Sequence, residues 1–290
     1  MVKTPHQLIL LILTRANNIV ISDLTKQMEW IEMEEMKSNH YHVSDDLKRM
    51  LGYEIIEIDN VLCSVCRTDP NILLNRAIGL GISKEASREQ INAIVDVYKT
   101  MKRDAWFLHV IPEIVKDDLM DWMTTSGLHK NRGWMKFLHN GQHQTVKSSE
   151  FTIQQINASQ VSDFAKISSP CFDLLDSSRP LIETIVRNPE YYLFMSYSSG
   201  KPAGTGAVYI KNNIAYVDWG ATHRDFRQRG SQSALLAHRI NFAIEMGCQT
   251  IVTATGEAVE GDPQHSYHNI MRYGFNEFKV RQNWVPGSMA

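Results

Sequence analysis

Apolar residues follow two rhythms along the second half of the chain. Residues 191–197, 204–210 and 214–222 are short runs rich in aromatic and β-branched side chains, and they read as strands. Ser199-Gly200 and Asn212-Asn213 lie between them as hairpin turns. After residue 230 the rhythm changes. Leu236, Ile240 and Ala243 recur at helical spacing, and Gly247 is placed to stop that helix. A strand at 250–254, a helix near 266–273 and a last strand at 275–283 follow. Two helices, 159–168 with Ser159 as its cap and 180–186, come before.

The first half has the same kind of layout, which implies a duplicated fold. Residues 54–58, 63–66, 76–81, 105–111 and 134–138 read as strands, and 84–102 and 112–125 as helices. Ser83 or Ser87 caps the first of these helices and Gly127 stops the second. The polar stretch from His139 to Ser149 is the best boundary, giving domains at 1–145 and 146–290. The alternation of strands and helices implies a mixed α+β sheet covered by helices in each.

Composition removes several classes of function. With 290 residues, 43% hydrophobic content and a formal net charge of -2, the chain suits two soluble domains without a basic field for nucleic acid. The apolar run Leu8–Leu13 is too short to cross a membrane and is expected to be a buried helix segment. Four cysteines make no disulfide scaffold, which points to a reducing cytoplasm. Cys63 and Cys66 sit in a strand-like run without a second ligand pair, so neither zinc nor redox chemistry is expected there. His139 and His143 flank a helix-breaking Asn140-Gly141 and are expected at the surface.

The most informative stretch lies between the strand-like run 214–222 and the following helix: Arg227-Gln-Arg-Gly-Ser-Gln-Ser-Ala-Leu-Leu236. A strand, a glycine turn and a helix that opens on small polar residues leave several backbone N–H groups unpaired and pointing one way. The helix dipole also favours negative charge there. Gly230 lets a phosphate approach the backbone, and Arg224, Arg227 and Arg229 add positive charge.

Residues 222–236 resemble the acyl-CoA diphosphate motif of the GNAT superfamily of N-acetyltransferases, Arg/Gln-x-x-Gly-x-Gly/Ala. Arg227 and Gly230 fill its first two fixed positions, and Gln232 stands where Gly or Ala is usual. Residues 266–275, which end in Gly274-Phe275, resemble the helix after the fifth strand of that superfamily. Residues 75–81 and 134–137 look like the first domain of bacterial tandem GNAT proteins, a domain that has lost the cofactor motif. The corresponding helix start here, 82–89, carries no Arg-x-x-Gly and has two acids. The resemblance implies two GNAT-like domains, each a mixed, mostly antiparallel sheet covered by helices.

It also implies acetyl-CoA, or another acyl-CoA, held by Ala221, Thr222, Arg227, Gln228, Arg229, Gly230, Ser231, Gln232, Ser233 and Asn269. Acyl transfer to an amine needs a held thioester, an oxyanion donor, a base and an acid. Backbone near Ala221 and Thr222 is the expected oxyanion donor. Strand alternation puts Tyr216, Asp218, Gly220 and Thr222 on one face, and Asp218 is the first candidate base, with His223 and Glu257 in reserve. Family members often carry the acid Tyr at the position of Ile270, so Tyr267, one turn earlier, is the candidate acid. The expectation is a cytoplasmic acyltransferase acting on an amine of a small molecule or peptide, without nucleic acid or membrane partners. The N-terminal half is expected to shape the substrate cleft or a homodimer contact. The rival is a catalytically silent acyl-CoA-binding or regulatory protein.

Overall fold

The computed structural model describes residues 21–145 and 150–287. The apolar run at residues 8–13 lies outside them. The first helix, α1 (Asp23–His42), is capped by Ser22, whose hydroxyl accepts the Thr25 N–H, and a short α2 (Asp45–Leu51) follows. Neither helix stands out by apolar periodicity. Of the buried residues of α1, Thr25, Glu29, Glu32 and Glu35 are polar and only Met28, Ile31 and Met36 are apolar.

Two repeats then share a core order of three strands, a helix, a strand, a helix and a last strand. The first runs through β1 (Tyr53–Ile58), β2 (Val61–Cys66), β3 (Arg76–Ile78), α3 (Arg88–Thr100), β4 (Phe107–Val110), α4 (Asp117–Thr125) and β5 (Leu128–His139). The second has β6 (Thr152–Gln155), α5 (Val161–Cys171), α6 (Arg179–Thr184), β7 (Tyr191–Ser198), β8 (Lys201–Lys211) and β9 (Ile214–Thr222). It ends with α7 (Ser231–Glu245), β10 (Thr250–Gly256), α8 (His265–Arg272) and β11 (Phe275–Pro286). Each repeat contains one parallel strand pair joined through a helix, β3 with β4 and β9 with β10, and all other pairings are antiparallel. Such crossovers need a helix-length connection, while the antiparallel neighbours close through tight hairpins. Ser199-Gly200 and Asn212-Asn213 have positive φ at both residues, as two-residue hairpins require.

The repeats do not make separate sheets. They join in one eleven-stranded sheet of order β1-β2-β3-β4-β11-β5-β10-β9-β8-β7-β6. The last strand of each repeat crosses over: β11 bonds to β4 of the first repeat, and β5 bonds to β10 of the second. The two exchanged strands also pair with each other along most of their length. Helices α3 and α4 bury Ile91, Ile94, Tyr98, Leu119 and Met123 on the first repeat's sheet. Leu235, Leu236, Ile240, Tyr267 and Ile270 of α7 and α8 do the same for the second. On the opposite face α5, α6 and α1 cover the sheet, and α1 crosses the join between repeats.

Several local expectations change. Strand β3 stops at Ile78, because Gly79 and Gly81 take positive φ. Ser87, not Ser83, caps α3 by accepting the Gln90 N–H at 3.2 Å. Ser159 is not a cap, since its N–H and hydroxyl both donate to Asn157 Oδ1 and Gln160 takes the cap position. His139 is buried rather than exposed, with its ring edge against Phe275, whereas His143 is exposed as expected. Cys63 and Cys66 are buried free thiols of β2, and burial pushes the Cys63 thiol up to about 12. Among the described residues no group of His, Cys, Asp and Glu could hold a metal ion. No described helix is long and apolar enough to cross a membrane.

Candidate acyl-CoA site

The site begins where two parallel strands part. β9 and β10 pair only through Ile214 with Thr250, Ala215 with Ile251 and Tyr216 with Val252. Beyond them β10 follows β5, while β9 stays with β8. The β10-side edge of β9 therefore has no strand partner from Val217 onward, and its carbonyls meet side chains instead: the Thr253 hydroxyl donates to Val217 at 2.7 Å, and Arg227 Nε to Thr222 at 3.4 Å. A strand edge left open inside a fold offers backbone donors and acceptors to an extended ligand.

A bulge sits at the same place. Thr205 faces Ala221 but Ala207 faces Asp218, so Trp219 and Gly220 together oppose the single Gly206, and Trp219 takes φ +53°. The inserted residue reverses the strand's phase. Tyr216 and Ala221 thus pack in the same core, on the face covered by α1 and α5, whereas a methyl group at Gly220 would point at Gln232 Oε1, 2.9 Å away on α7. The expected common face of Tyr216, Asp218, Gly220 and Thr222 is corrected accordingly. Only Tyr216 and Asp218 share it, and Ala221 replaces the last two. Counting by twos cannot see an extra residue.

After β9 a 3-10 turn, Arg224–Phe226, leads to Gln228 and Gly230, both at positive φ, and then to α7. Gly230 occupies the N-cap position without a side-chain cap, and space is open around its missing Cβ. The N–H groups of the first turn, at Ser231, Gln232 and Ser233, thus face a loop that nothing crowds. Gly206 lets the helix come close: a methyl there would lie 2.6 Å from the Arg239 guanidinium.

The side chains around this loop have distinct duties. Gln232 Nε2 donates to the carbonyls of Ala221 (2.5 Å) and Thr205 (3.1 Å), bridging both sides of the bulge. Ser231 is buried with its hydroxyl against that of Ser196, so only its backbone faces the loop. Ser233 donates to Asn269 Oδ1 at 3.0 Å, which brings α8 beside the first turn of α7. Arg229 is held by Glu150 through two bonds and lies over the rings of Phe151 and Phe226. Arg227 donates from Nε to the Thr222 carbonyl at 3.4 Å, and Arg224 is exposed.

Asp218 is half-buried and lies among charges. Burial pushes its carboxyl up from the ordinary range, against the pull of Arg76, Arg239 and Lys136. Arg239, on α7, donates to the Asp218 carbonyl at 2.7 Å from the opposite face. Tyr267 is placed differently. Its ring packs edge-on against Phe137 in the core and its hydroxyl donates to Glu277 of β11 in a very short bond. Burial and that carboxylate both push the phenol up. Ile270 is buried in the same core. Of the reserve bases, Glu257 accepts the Gly133 N–H at 2.6 Å and His223 accepts the Asp225 N–H at 3.4 Å.

Sequence reasoning missed the other half of the surroundings. Glu29, Glu32 and Glu35 of α1 meet Arg76 of β3, Lys136 of β5 and Arg281 of β11 on the face that carries Asp218. Glu35 accepts from Tyr191 (2.6 Å) and Asn39 (2.5 Å), and burial pushes its carboxyl up to about 7. Burial, with Arg281 next, brings the Lys136 ammonium down to about 7. The signal was present as glutamates three residues apart in α1, which place charges on one helical face.

The sequence of residues 159–275 matches the acetyltransferase (GNAT) family. Over these residues the chain is similar to a GNAT acetyltransferase domain. Among solved structures, a GCN5-related N-acetyltransferase from Kribbella flavida aligns with a TM-score of 0.60 at 11% identity, over 90% of this chain and 94% of its own. A tandem GNAT protein from the clavulanic acid biosynthesis pathway gives 0.54 at 10% identity, over 92% and 96%. A GCN5-related N-acetyltransferase from Sphaerobacter thermophilus gives 0.50 at 14% identity, over 80% and 74%. No curated protein sequence matches the chain. Identities this low speak for the fold, and the GNAT domain's chemistry has to be argued from its own residues.

Proposed function

We propose that the chain transfers an acetyl or related acyl group from acyl-CoA to an amine. The observation that carries this reading is the joint occurrence of a bulge, a strand splay and an uncapped glycine helix start within residues 216–233. In this reading the diphosphate lies on the N–H groups of Ser231, Gln232 and Ser233, with Arg227, Gln228, Arg229 and Gly230 around it. The pantetheine arm runs along the open edge of β9, where Asn269 is near. His223 N–H bonds to Ala203 of β8, so by alternation the Thr222 N–H points into the splay, where a thioester oxyanion would be stabilised.

Asp218 takes the ammonium proton in this scheme. Its raised pKa gives the carboxylate more affinity for a proton than an exposed aspartate has. The amine then attacks the thioester carbon, the C–S bond breaks, the thiolate takes a proton from its donor, and the second proton lost by the nitrogen as the amide forms restores that donor. Tyr267 is the proposed donor, acting together with the Glu277 carboxylate that holds its hydroxyl. The first repeat lacks the arginine-glycine loop and spends the Ser87 hydroxyl on its own helix start. It serves the cleft wall and supplies β5. This is a tandem pair in which only residues 146–290 hold cofactor.

A second reading, a silent acyl-CoA-binding protein, is favoured by one observation: Ile270, at the position where related enzymes carry tyrosine, is a core residue. Thiol release from acetyl-CoA across a panel of amines decides between them. Acceptor-dependent release supports the transferase, and binding without any release supports the silent protein.

A further inference from the structure

One carboxylate in this protein is bound by three cations from three strands. Glu32 of α1 receives Arg281 Nη2 of β11 at 3.0 Å, Arg76 Nη1 of β3 at 3.6 Å, and the Lys136 ammonium of β5 in closer contact. All four side chains are buried, Arg281 and Glu32 completely. Like charges do not gather in a protein interior unless something holds them. Here the sheet does so: the guanidinium carbons of Arg76 and Arg281 lie 5.7 and 5.6 Å from the ring centre of Trp134 on β5. Stacking on one indole fixes both forks without help from α1.

The glutamates of α1 satisfy this cradle incompletely. Arg76 Nε and Arg281 Nε are both buried without an acceptor. Two guanidinium N–H groups of the cluster thus keep capacity for a further oxygen acceptor. The cradle also adjoins the proposed base. Lys136 Nζ lies 5.8 Å from the ring centre of Tyr216, two residues before Asp218 on the same face of β9, and Arg76 and Lys136 both act on the Asp218 carboxyl. Four of the seven buried residues of α1 are polar, so its seat on the sheet depends on charge pairing as well as on the burial of Met28, Ile31 and Met36.

We propose that the acceptor is an amine that carries an acidic group, that Arg76, Lys136 and Arg281 bind that group while the amine faces Asp218, and that Glu32 of α1 occupies the same position until the acceptor displaces it. The word acceptor rests on the acyl-transfer reading; the anion site does not. An acidic molecule and α1 then compete for one cradle, and each weakens the other by the same factor.

The test uses the whole chain and two probes of nearly equal shape, glutarate and its neutral diamide. Amide hydrogen exchange across residues 23–42 is followed as each is added at constant ionic strength. Glutarate is expected to raise exchange of α1 about tenfold, within the usual range of such coupling, and the diamide to leave it unchanged. Arg281→Gln should abolish the response. Should that variant fail to fold, the contrast between probes on the unaltered chain still decides. In thiol-release assays an acid-bearing amine should exceed its amide in kcat/KM by at least about tenfold, mostly through KM. Exchange that glutarate does not move, or that both probes move equally, overturns the proposal. A glutarate response without thiol release from any amine would remove the transferase reading and leave the anion site standing.

Discussion

The side-chain amide of Gln232 donates to the Ala221 carbonyl at 2.5 Å, so the helix that follows the Gly230 loop is fastened to the strand bulge beside it. The residue that departs from the family pattern therefore has a structural task, since its second bond, to Thr205, closes the other side of the bulge. Loop and splay are held in one register by this amide. Gln232→Gly removes both bonds and adds a flexible residue to the first turn of the helix. It is expected to lower stability by about 1–3 kcal/mol in urea unfolding and to weaken acetyl-CoA binding. Unchanged stability would show that the amide fastens nothing.

Asp218→Asn keeps shape and removes the proposed base. The acyl-transfer rate is expected to fall by about 10²–10⁴-fold with acetyl-CoA affinity retained. Tyr267→Phe should also slow the reaction if the Tyr267 and Glu277 pair protonates the thiolate. A variant that loses only about 1 kcal/mol of stability, at full rate, would reduce that hydrogen bond to a structural role.

Glu35 gives a pH signature of stability. Its carboxyl rises from 4.5 to about 7 on folding, so the folded state favours the protonated form. Its favourable contribution is whole below about pH 4.5 and is lost as pH rises through 7, on the order of 3 kcal/mol in all. Glu35→Gln should flatten the decline in unfolding free energy between pH 4.5 and 7. Parallel pH profiles for both proteins would contradict the buried, protonated Glu35.

A fragment starting at Glu150 retains the loop and the splay but lacks β5, which lies between β10 and β11. Both flanking strands would lose their pairing with β5, leaving open edges inside a formerly continuous sheet. Such a fragment is expected to aggregate, and residues 21–145 supplied in trans should restore solubility. A soluble, fully active fragment would show that the exchange of strands is dispensable.

The C-terminal half of the fold was legible in the sequence because its elements are regular. Strands β7 to β9, the start of α7 and the stop at Gly247 follow from alternation, turn residues and helical spacing. Three features were not legible, each for a physical reason. The bulge at Trp219 is an inserted residue that looks like any other strand position. The crossing of β5 and β11 is long-range pairing, about which local propensity is silent. Helix α1 buries three glutamates among its apolar residues, and a search for apolar periodicity passes over it, although those glutamates meet Arg76, Lys136 and Arg281 in a buried charge cluster.

The central claim is that one acyl-CoA binds where Gly230 opens α7. Gly230 has φ +93° and open space about its missing Cβ, so a side chain there would strain the backbone and stand between the ligand and the N–H groups of the first turn. Calorimetric titration of the whole chain with acetyl-CoA tests this most directly, comparing the natural protein with Gly230→Val after confirming that the variant is folded. One site per chain in the natural protein and no heat signal in the variant is the expected result. Equal affinity in the two proteins, or two sites per chain, would contradict the account.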